Sequence, residues 1–233
     1  MECSGHRLRH EMKYYINEND CFNLRSRLKL VTEPDSYTKD NGYLVSSVYF
    51  DDFCRSALWE KRNGTEFRKK YRLRCYNRED TLIRLECKRK IGEYTAKEST
   101  EISRSEYDLL LMGEYEFLLE KENICKELYM AHQLRLLEPR ISVEYLREAY
   151  VFETGNVRIT FDKNISFSVS DYNMFSEYYS VCRALEPGLM IMEVKYDELL
   201  PVSIAQILGT VIADRCAVSK YVLCSNAKEG YIR

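Results

Sequence analysis

A chain of 233 residues with 45% hydrophobic and 31% charged residues, and with only nine glycines and four prolines, can bury a core, which excludes disordered and fibrous classes. Its formal charge of −2 at pH 7 excludes a partner attracted by net charge alone, so any electrostatic recognition must lie in how the charges are distributed. Nine cysteines, an odd number with no C-x-x-C pair, argue for a reducing compartment; Cys75, Cys87, Cys216 and Cys224 sit in apolar or alternating runs as core residues do.

The first fifteen residues carry Glu2, Arg7, Arg9, Glu11 and Lys13 and lack the apolar centre of a secretory signal. Weak alternation over residues 7–16 predicts a first strand. Cys21, Leu24, Leu28 and Val31, three and four apart, predict a helix. Strands follow at 45–51, 67–76 and 82–91, the last two joined as a hairpin around Asn77-Arg78-Glu79-Asp80. Ser103-Arg104-Ser105-Glu106 reads as a capping box opening a helix over 107–112, and a longer helix is expected over 117–137. Strands are predicted at 141–150, 157–162 and 190–196. Pro201 can open a helix over 202–215, whose apolar part, 202–213, falls short of the roughly 20 residues needed to cross a bilayer. A last strand is placed at 220–224. The order predicts one antiparallel α+β domain over 1–233, a protein expected to be soluble and cytoplasmic.

Side chains alternate across a strand, so parity divides each strand into two faces. In 67–76 one face holds Arg68, Lys70, Arg72 and Arg74, and the other holds Phe67, Lys69, Tyr71, Leu73 and Cys75. The next strand sets Arg84, Glu86, Lys88 and Lys90 against Ile83, Leu85, Cys87, Arg89 and Ile91. Matching sets recur as Arg9, Glu11 and Lys13; Ser47, Tyr49 and Asp51; Tyr145 and Arg147; Arg158, Thr160 and Asp162; and Glu193 and Lys195. Like charges facing each other across paired strands cost up to about 1 kcal/mol per pair, so such a sheet calls for a compensating anion. The opposite faces are apolar and amphipathic helices can cover them. Closure of the sheet would then give a basic, solvated tunnel suited to a linear chain of phosphates, which Lys and Arg bind by charge-assisted hydrogen bonds.

The minority carboxylates Glu11, Glu86, Asp162 and Glu193 would repel phosphate unless one or two hold a divalent metal that bridges to it; Glu193, beside Lys195, is the first choice. Glu86 reads equally as an internal salt-bridge partner, and Asp162 as the group that orients an arginine. The competing reading of the basic strands is a sheet with one solvated face, but such faces normally mix signs. His10 fits a strand back face and His132 a helix surface. Neither a phosphate-binding P-loop nor a kinase-type glycine loop is present.

Arg9-His10-Glu11-Met12-Lys13-Tyr14, Val48-Tyr49-Phe50-Asp51, Lys70-Tyr71-Arg72-Leu73-Arg74, Leu85-Glu86-Cys87-Lys88-Arg89-Lys90, Ser142-Val143-Glu144-Tyr145-Leu146-Arg147, Val157-Arg158-Ile159-Thr160-Phe161-Asp162, Met192-Glu193-Val194-Lys195-Tyr196 and Ser219-Lys220-Tyr221 resemble, in order, the motifs of the VTC-type polyphosphate polymerase domain. That family belongs to the triphosphate tunnel metalloenzymes, related to CYTH domains. The resemblance implies an eight-stranded antiparallel β-barrel tunnel with helices packed outside, making polyphosphate from ATP with Mn2+ or Mg2+. It implies that Lys13, Arg72, Arg74, Lys88, Lys90, Arg147, Arg158, Lys195 and Lys220 bind the triphosphate and product chain, and that Glu193 coordinates the metal. With the parity reading, Lys13, Arg72, Arg74, Lys88 and Glu193 are assigned to catalysis. Arg9, Lys70, Lys90, Arg147, Arg158, Lys195 and Lys220 are assigned to phosphate binding, and Glu193, with Glu11 as a further candidate, to the metal.

Arg9 stands where triphosphatases of this fold begin Glu-x-Glu-x-Lys, which favours the polymerase branch over hydrolysis. The chain shows no SPX domain and no membrane helices, so the likeness is to the stand-alone bacterial version. The expected partners are ATP and inorganic polyphosphate, with no nucleic acid; association with membrane proteins is not addressed by these residues. The rival readings are a tripolyphosphatase or nucleoside triphosphatase of the same fold and a non-catalytic polyanion-binding module.

Overall fold

The computed structural model describes residues 2, 3, 6, 7, 9–35, 37, 42–92, 94–168, 171–176, 178–211 and 213–231, with only the backbone given for residues 2, 3, 6, 7 and 94. Leu8 in the expected first strand and Ile212 in the helix expected over 202–215 lie outside the described residues. Among the described residues, eight strands have seven residues or more: β1 His10–Ile16, β2 Tyr43–Asp51, β3 Phe67–Tyr76, β4 Glu79–Ile91, β5 Tyr94–Ile102, β6 Glu138–Phe152, β7 Val157–Ser168 and β8 Met190–Tyr196. The helices are α1 Glu18–Leu28, α2 Ser56–Arg62, α3 Arg104–Met112, α4 Ile124–Arg135, α5 Val202–Leu208 and α6 Lys220–Tyr231.

The described residues group into two compact units, and the boundary runs through β2, β6 and β7. In the first unit the strand order is β1-β8-β7-β6. One face of these strands carries Ile16, Val157, Ile159, Phe161, Met190, Met192 and Val194, which pack with Cys21, Leu24 and Leu28 of α1 and Ile204 of α5. Helix α1 starts where Asn17 and Asp20 form a reciprocal capping box that satisfies free amides of the first turn.

In the second unit the order is β6-β2-β3-β4-β5. Strands β3 and β4 turn back through Asn77 and Arg78, both at positive φ (52° and 55°), the conformation a two-residue hairpin loop requires. Val48, Phe50, Tyr71, Leu73, Cys75, Ile83, Leu85 and Cys87 form the apolar face, covered by Tyr107 and Leu110 of α3 and Ile124, Cys125 and Leu128 of α4. The Ser103–Glu106 capping box expected before α3 is present. Architecture and class are thus α+β with helices against the apolar sheet faces. Among the described residues the strand order β1-β8-β7-β6-β2-β3-β4-β5 has no β1–β5 pairing, so the sheet is not closed by hydrogen bonds as the expected barrel would be.

Several elements differ from expectation. The strand placed at 220–224 is the first turn of α6, and the single helix expected over 117–137 is a 3-10 turn at Glu116–Glu120 followed by α4, interrupted by Asn123 at φ 54°. Helix α5 ends at Leu208, and Pro201 is its N-cap. Strand β5 and helix α2 were not anticipated. Cys75, Cys87 and Cys224 are buried, whereas Cys216 is half-buried.

The apolar face of β3 and β4 ends in charge, because Lys69 and Arg89 are register partners. Glu127 of α4 answers both, with Lys69 at 2.5 Å and two Arg89 nitrogens at 2.8 and 2.5 Å. These hydrogen bonds, from Arg89 above all, pull the Glu127 carboxyl down to about 2. Its contribution is present above the unfolded glutamate value near 4.3 and is lost as pH falls through about 2. Glu127→Gln is therefore expected to lower Tm by about 2–4 °C at pH 7 and to flatten the decline of Tm between about pH 4.3 and pH 2. Parallel Tm-against-pH curves for the two proteins would contradict this.

Candidate functional site

The charged strand faces lie opposite α1 and α5 in the first unit and opposite α3 and α4 in the second, where Tyr221 of α6 instead meets the charged face at Lys70 and Tyr49. In the first unit, ladder register sets Lys13 beside Glu193, Glu11 beside Lys195, and Arg158 beside Lys195, with Thr160 opposite Glu193. Glu193 is buried, and its two oxygens are shared between Lys195 at 2.6 Å and Lys13 at 3.5 Å. Lys13 also meets Glu11 at 2.8 Å and donates to the Val218 carbonyl at 3.2 Å. Burial pushes the Lys13 ammonium down, but the carboxylates of Glu193 and Glu11 outweigh it and hold its pKa above the ordinary lysine range.

Arg147 donates from two nitrogens to both oxygens of Asp162, at 2.7 and 2.8 Å, and both residues are buried. Burial opposes the guanidinium charge and Asp162 overrides it, raising the Arg147 pKa well above its ordinary value. Asp162 thus orients an arginine. Arg158 pairs with Asp35 at 2.5 Å and donates to the Tyr43 hydroxyl at 2.9 Å. Arg9 pairs with Asp197 at 3.2 Å and donates to the Asn156 carbonyl.

In the second unit the cations crowd. Lys70 faces Lys88, Arg68 faces Lys90, Arg74 faces Arg84, and Lys88 faces Lys97 on β5. Glu86, 1% exposed, is the carboxylate at the centre: Arg72 reaches it at 2.6 Å, Lys97 at 2.5 Å and Arg74 at 3.8 Å. Burial would raise the Glu86 carboxyl, yet these cations hold it well below the usual carboxylate range. Arg72 also donates to the Tyr49 hydroxyl at 3.0 Å, and Arg74 to Ser47 at 3.4 Å. Lys88 is exposed and Lys90 half-buried. Lys220, expected on a strand, is the first residue of α6.

The structure therefore gathers Arg9, Glu11, Lys13, Arg147, Arg158, Glu193 and Lys195 in the first unit, and Lys70, Arg72, Arg74, Lys88, Lys90 and Lys220 in the second. Sequence reasoning missed Lys97, Asp35 and Asp197. Lys97 lies on β5, whose only local strand signal is the sparse apolar spacing of the buried Ala96 and Ile102.

The residues fit a divalent cation. Glu11 and Glu193 both converge on one positive charge at Lys13, and Thr160, opposite Glu193, has a buried hydroxyl with no hydrogen-bond partner among the described residues. Among the described residues no group of three or more His, Cys, Asp or Glu side chains forms an all-protein metal site. Ions such as Mg2+ are instead commonly held by one or two carboxylates with substrate phosphates.

These elements place the chain in the α+β class of the triphosphate tunnel, or CYTH-like, fold, and solved structures share it. A Hippeastrum protein put forward as an adenylyl cyclase and described by a dominant triphosphatase activity matches with a TM-score of 0.56 at 13% identity, covering 94% of this chain and 96% of its own. A candidate adenylate cyclase from Bacillus halodurans gives 0.53 at 14% identity, covering 88% and 90%. One from Vibrio parahaemolyticus gives 0.50 at 14%, covering 94% and 99%. Comparison with curated proteins returned no match. The VTC domain model matches residues 8–227, and the chain belongs to the VTC domain family. No helix among the described residues is long and apolar enough to cross a membrane.

Proposed function

We propose that the protein is a metal-dependent polyphosphate polymerase that transfers the γ-phosphoryl group of ATP to the end of a polyphosphate chain. The observation that carries this reading is the run of like charges set directly opposite each other, Lys70 with Lys88, Lys88 with Lys97 and Arg68 with Lys90. Like charges directly opposite one another repel, and Glu86, which answers Lys97, Arg72 and Arg74, is one carboxylate among several cations, so a multiply charged anion on this face would lower the repulsion. Tyr49 and Tyr145 share the basic faces but are 5% and 2% exposed, so neither offers the open stacking platform that single-stranded nucleic acid uses.

In the proposed reaction an oxygen of the terminal acceptor phosphate bonds to the γ-phosphorus, the bond from that phosphorus to the β–γ bridging oxygen breaks, and ADP leaves. The acceptor is already an oxyanion, so no protein base is required. The phosphate ligands proposed in the second unit are Arg72, Arg74, Lys70, Lys88, Lys90 and Lys220, and those proposed in the first unit are Arg147, Arg158, Lys195 and Arg9. Lys13 holds positive charge where negative charge builds up on the transferring group, and its raised pKa keeps it protonated throughout the working range. Glu193, aided by Glu11, would hold Mn2+ or Mg2+, which neutralises phosphate charge when bound.

The deciding experiment incubates the purified protein with ATP and Mn2+ and sizes the acid-labile phosphate by gel electrophoresis. Long chains with stoichiometric ADP are expected. Orthophosphate alone would replace this reading with a triphosphatase, and neither product would leave a binding module.

A further inference from the structure

Tyr221 hydroxyl and Asp51 carboxylate form a buried contact in the second unit that the assigned phosphate ligands do not include. Asp51, 0% exposed, ends β2 and accepts four hydrogen bonds: the amides of Asp52 and Ala57 at 2.9 Å, that of Leu58 at 3.1 Å and the Tyr221 hydroxyl at 2.5 Å. It thereby caps α2, whose own N-cap, Arg55, is left-handed and makes no side-chain cap. The far end of α6 is tied to the same helix, with Glu229 meeting Arg55 at 2.7 Å and Arg62 at 2.9 Å.

The Tyr221 ring is 1% exposed, lies 5.2 Å from the Tyr49 ring, and takes the Lys70 ammonium over its face at 4.9 Å from the centroid. A cation at that distance is attracted by the ring's quadrupole. Donation of the phenolic proton to a carboxylate enriches the ring in electron density and strengthens that attraction. Burial and the Asp51 carboxylate raise the Tyr221 pKa, so the phenol keeps its proton.

The geometry points to Tyr221, oriented by Asp51, as a positioning residue that holds the Lys70 ammonium in place for phosphate. This rests on the polyphosphate reading, and assigns to α6 the task of placing a β3 cation. The step is one of placement: Tyr221 touches Lys70, and Lys70 touches the ligand.

The test is a double-mutant cycle on tripolyphosphate affinity, read by calorimetry. Tyr221→Phe keeps the ring but loses the hydroxyl, and is expected to weaken binding about 3–10-fold. Lys70→Ala is expected to weaken it by at least as much, and Tyr221→Phe should add less than about twofold in the Lys70→Ala background. Glu229→Gln, which loosens the far end of α6, should lower Tm without changing affinity, separating positioning from general loosening. Equal effects of Tyr221→Phe with and without Lys70 would overturn the inference and leave the polyphosphate reading intact. A Lys70→Ala variant that binds tripolyphosphate as the parent does would overturn both. Should Tyr221→Phe fail to fold, the Lys70 side-chain methylene shifts in the parent protein keep the inference testable: upfield ring-current shifts are expected, and random-coil values would overturn it.

Discussion

Glu193→Ala is expected to lower phosphoryl transfer from ATP by about 10²–10³-fold while tripolyphosphate affinity stays within about threefold of the parent. The asymmetry follows from the side chain's neighbours. Its oxygens engage Lys195 and Lys13, so removal releases two ammonium groups that can each bind phosphate, and binding need not suffer. What is lost is the carboxylate proposed to hold the metal against the transferring group. Initial rates across a Mn2+ titration, paired with calorimetric binding, read both quantities. Unchanged metal-dependent turnover would remove Glu193 from the site.

Asp162→Ala carries the largest expected effect on stability. The Arg147 guanidinium, 6% exposed, would be left in a desolvated position without its bidentate partner. Breaking a buried pair in this way costs about 3–5 kcal/mol, which in a chain of this size corresponds to a Tm lower by roughly 6–20 °C. Replacing both partners, Arg147→Met with Asp162→Leu, should recover most of the stability, because neither charge is then buried alone. Tripolyphosphate affinity should stay reduced in the double variant, since the proposed phosphate ligand is gone. A single variant melting within about 2 °C of the parent would show that the pair is not desolvated as the geometry describes.

Much of the site was legible because strand parity is a local rule. The alternation of Arg68, Lys70, Arg72 and Arg74 with Tyr71, Leu73 and Cys75 requires nothing beyond the neighbouring residues, and β3 spans Phe67–Tyr76 as expected. The capping box before α3 is equally local. Strand β5 escaped because Lys97, Glu98, Ser99 and Glu101 are poor strand formers, and the element exists through its ladder to β4. That ladder is what brings Lys97 to Glu86.

Helix α6 shows the opposite failure. Lys220-Tyr221-Val222-Leu223-Cys224 has the β-branched and aromatic character of a strand, but the segment continues as a helix to Tyr231, pinned by the Asp51 contact at one end and Glu229 at the other. Tertiary contacts overrode a weak local preference.

By itself the sequence determined the alternating faces, the surplus of cations on one of them, and the family. Those properties are carried by residue type and spacing along a few neighbouring positions. Only the tertiary structure decided which carboxylate answers which cation: Glu86 for Arg72, Arg74 and Lys97, Asp162 for Arg147, and Asp35 for Arg158 across 123 residues. Ion pairing depends on separation through space and on the solvent excluded around it, and neither quantity is written in the order of residues.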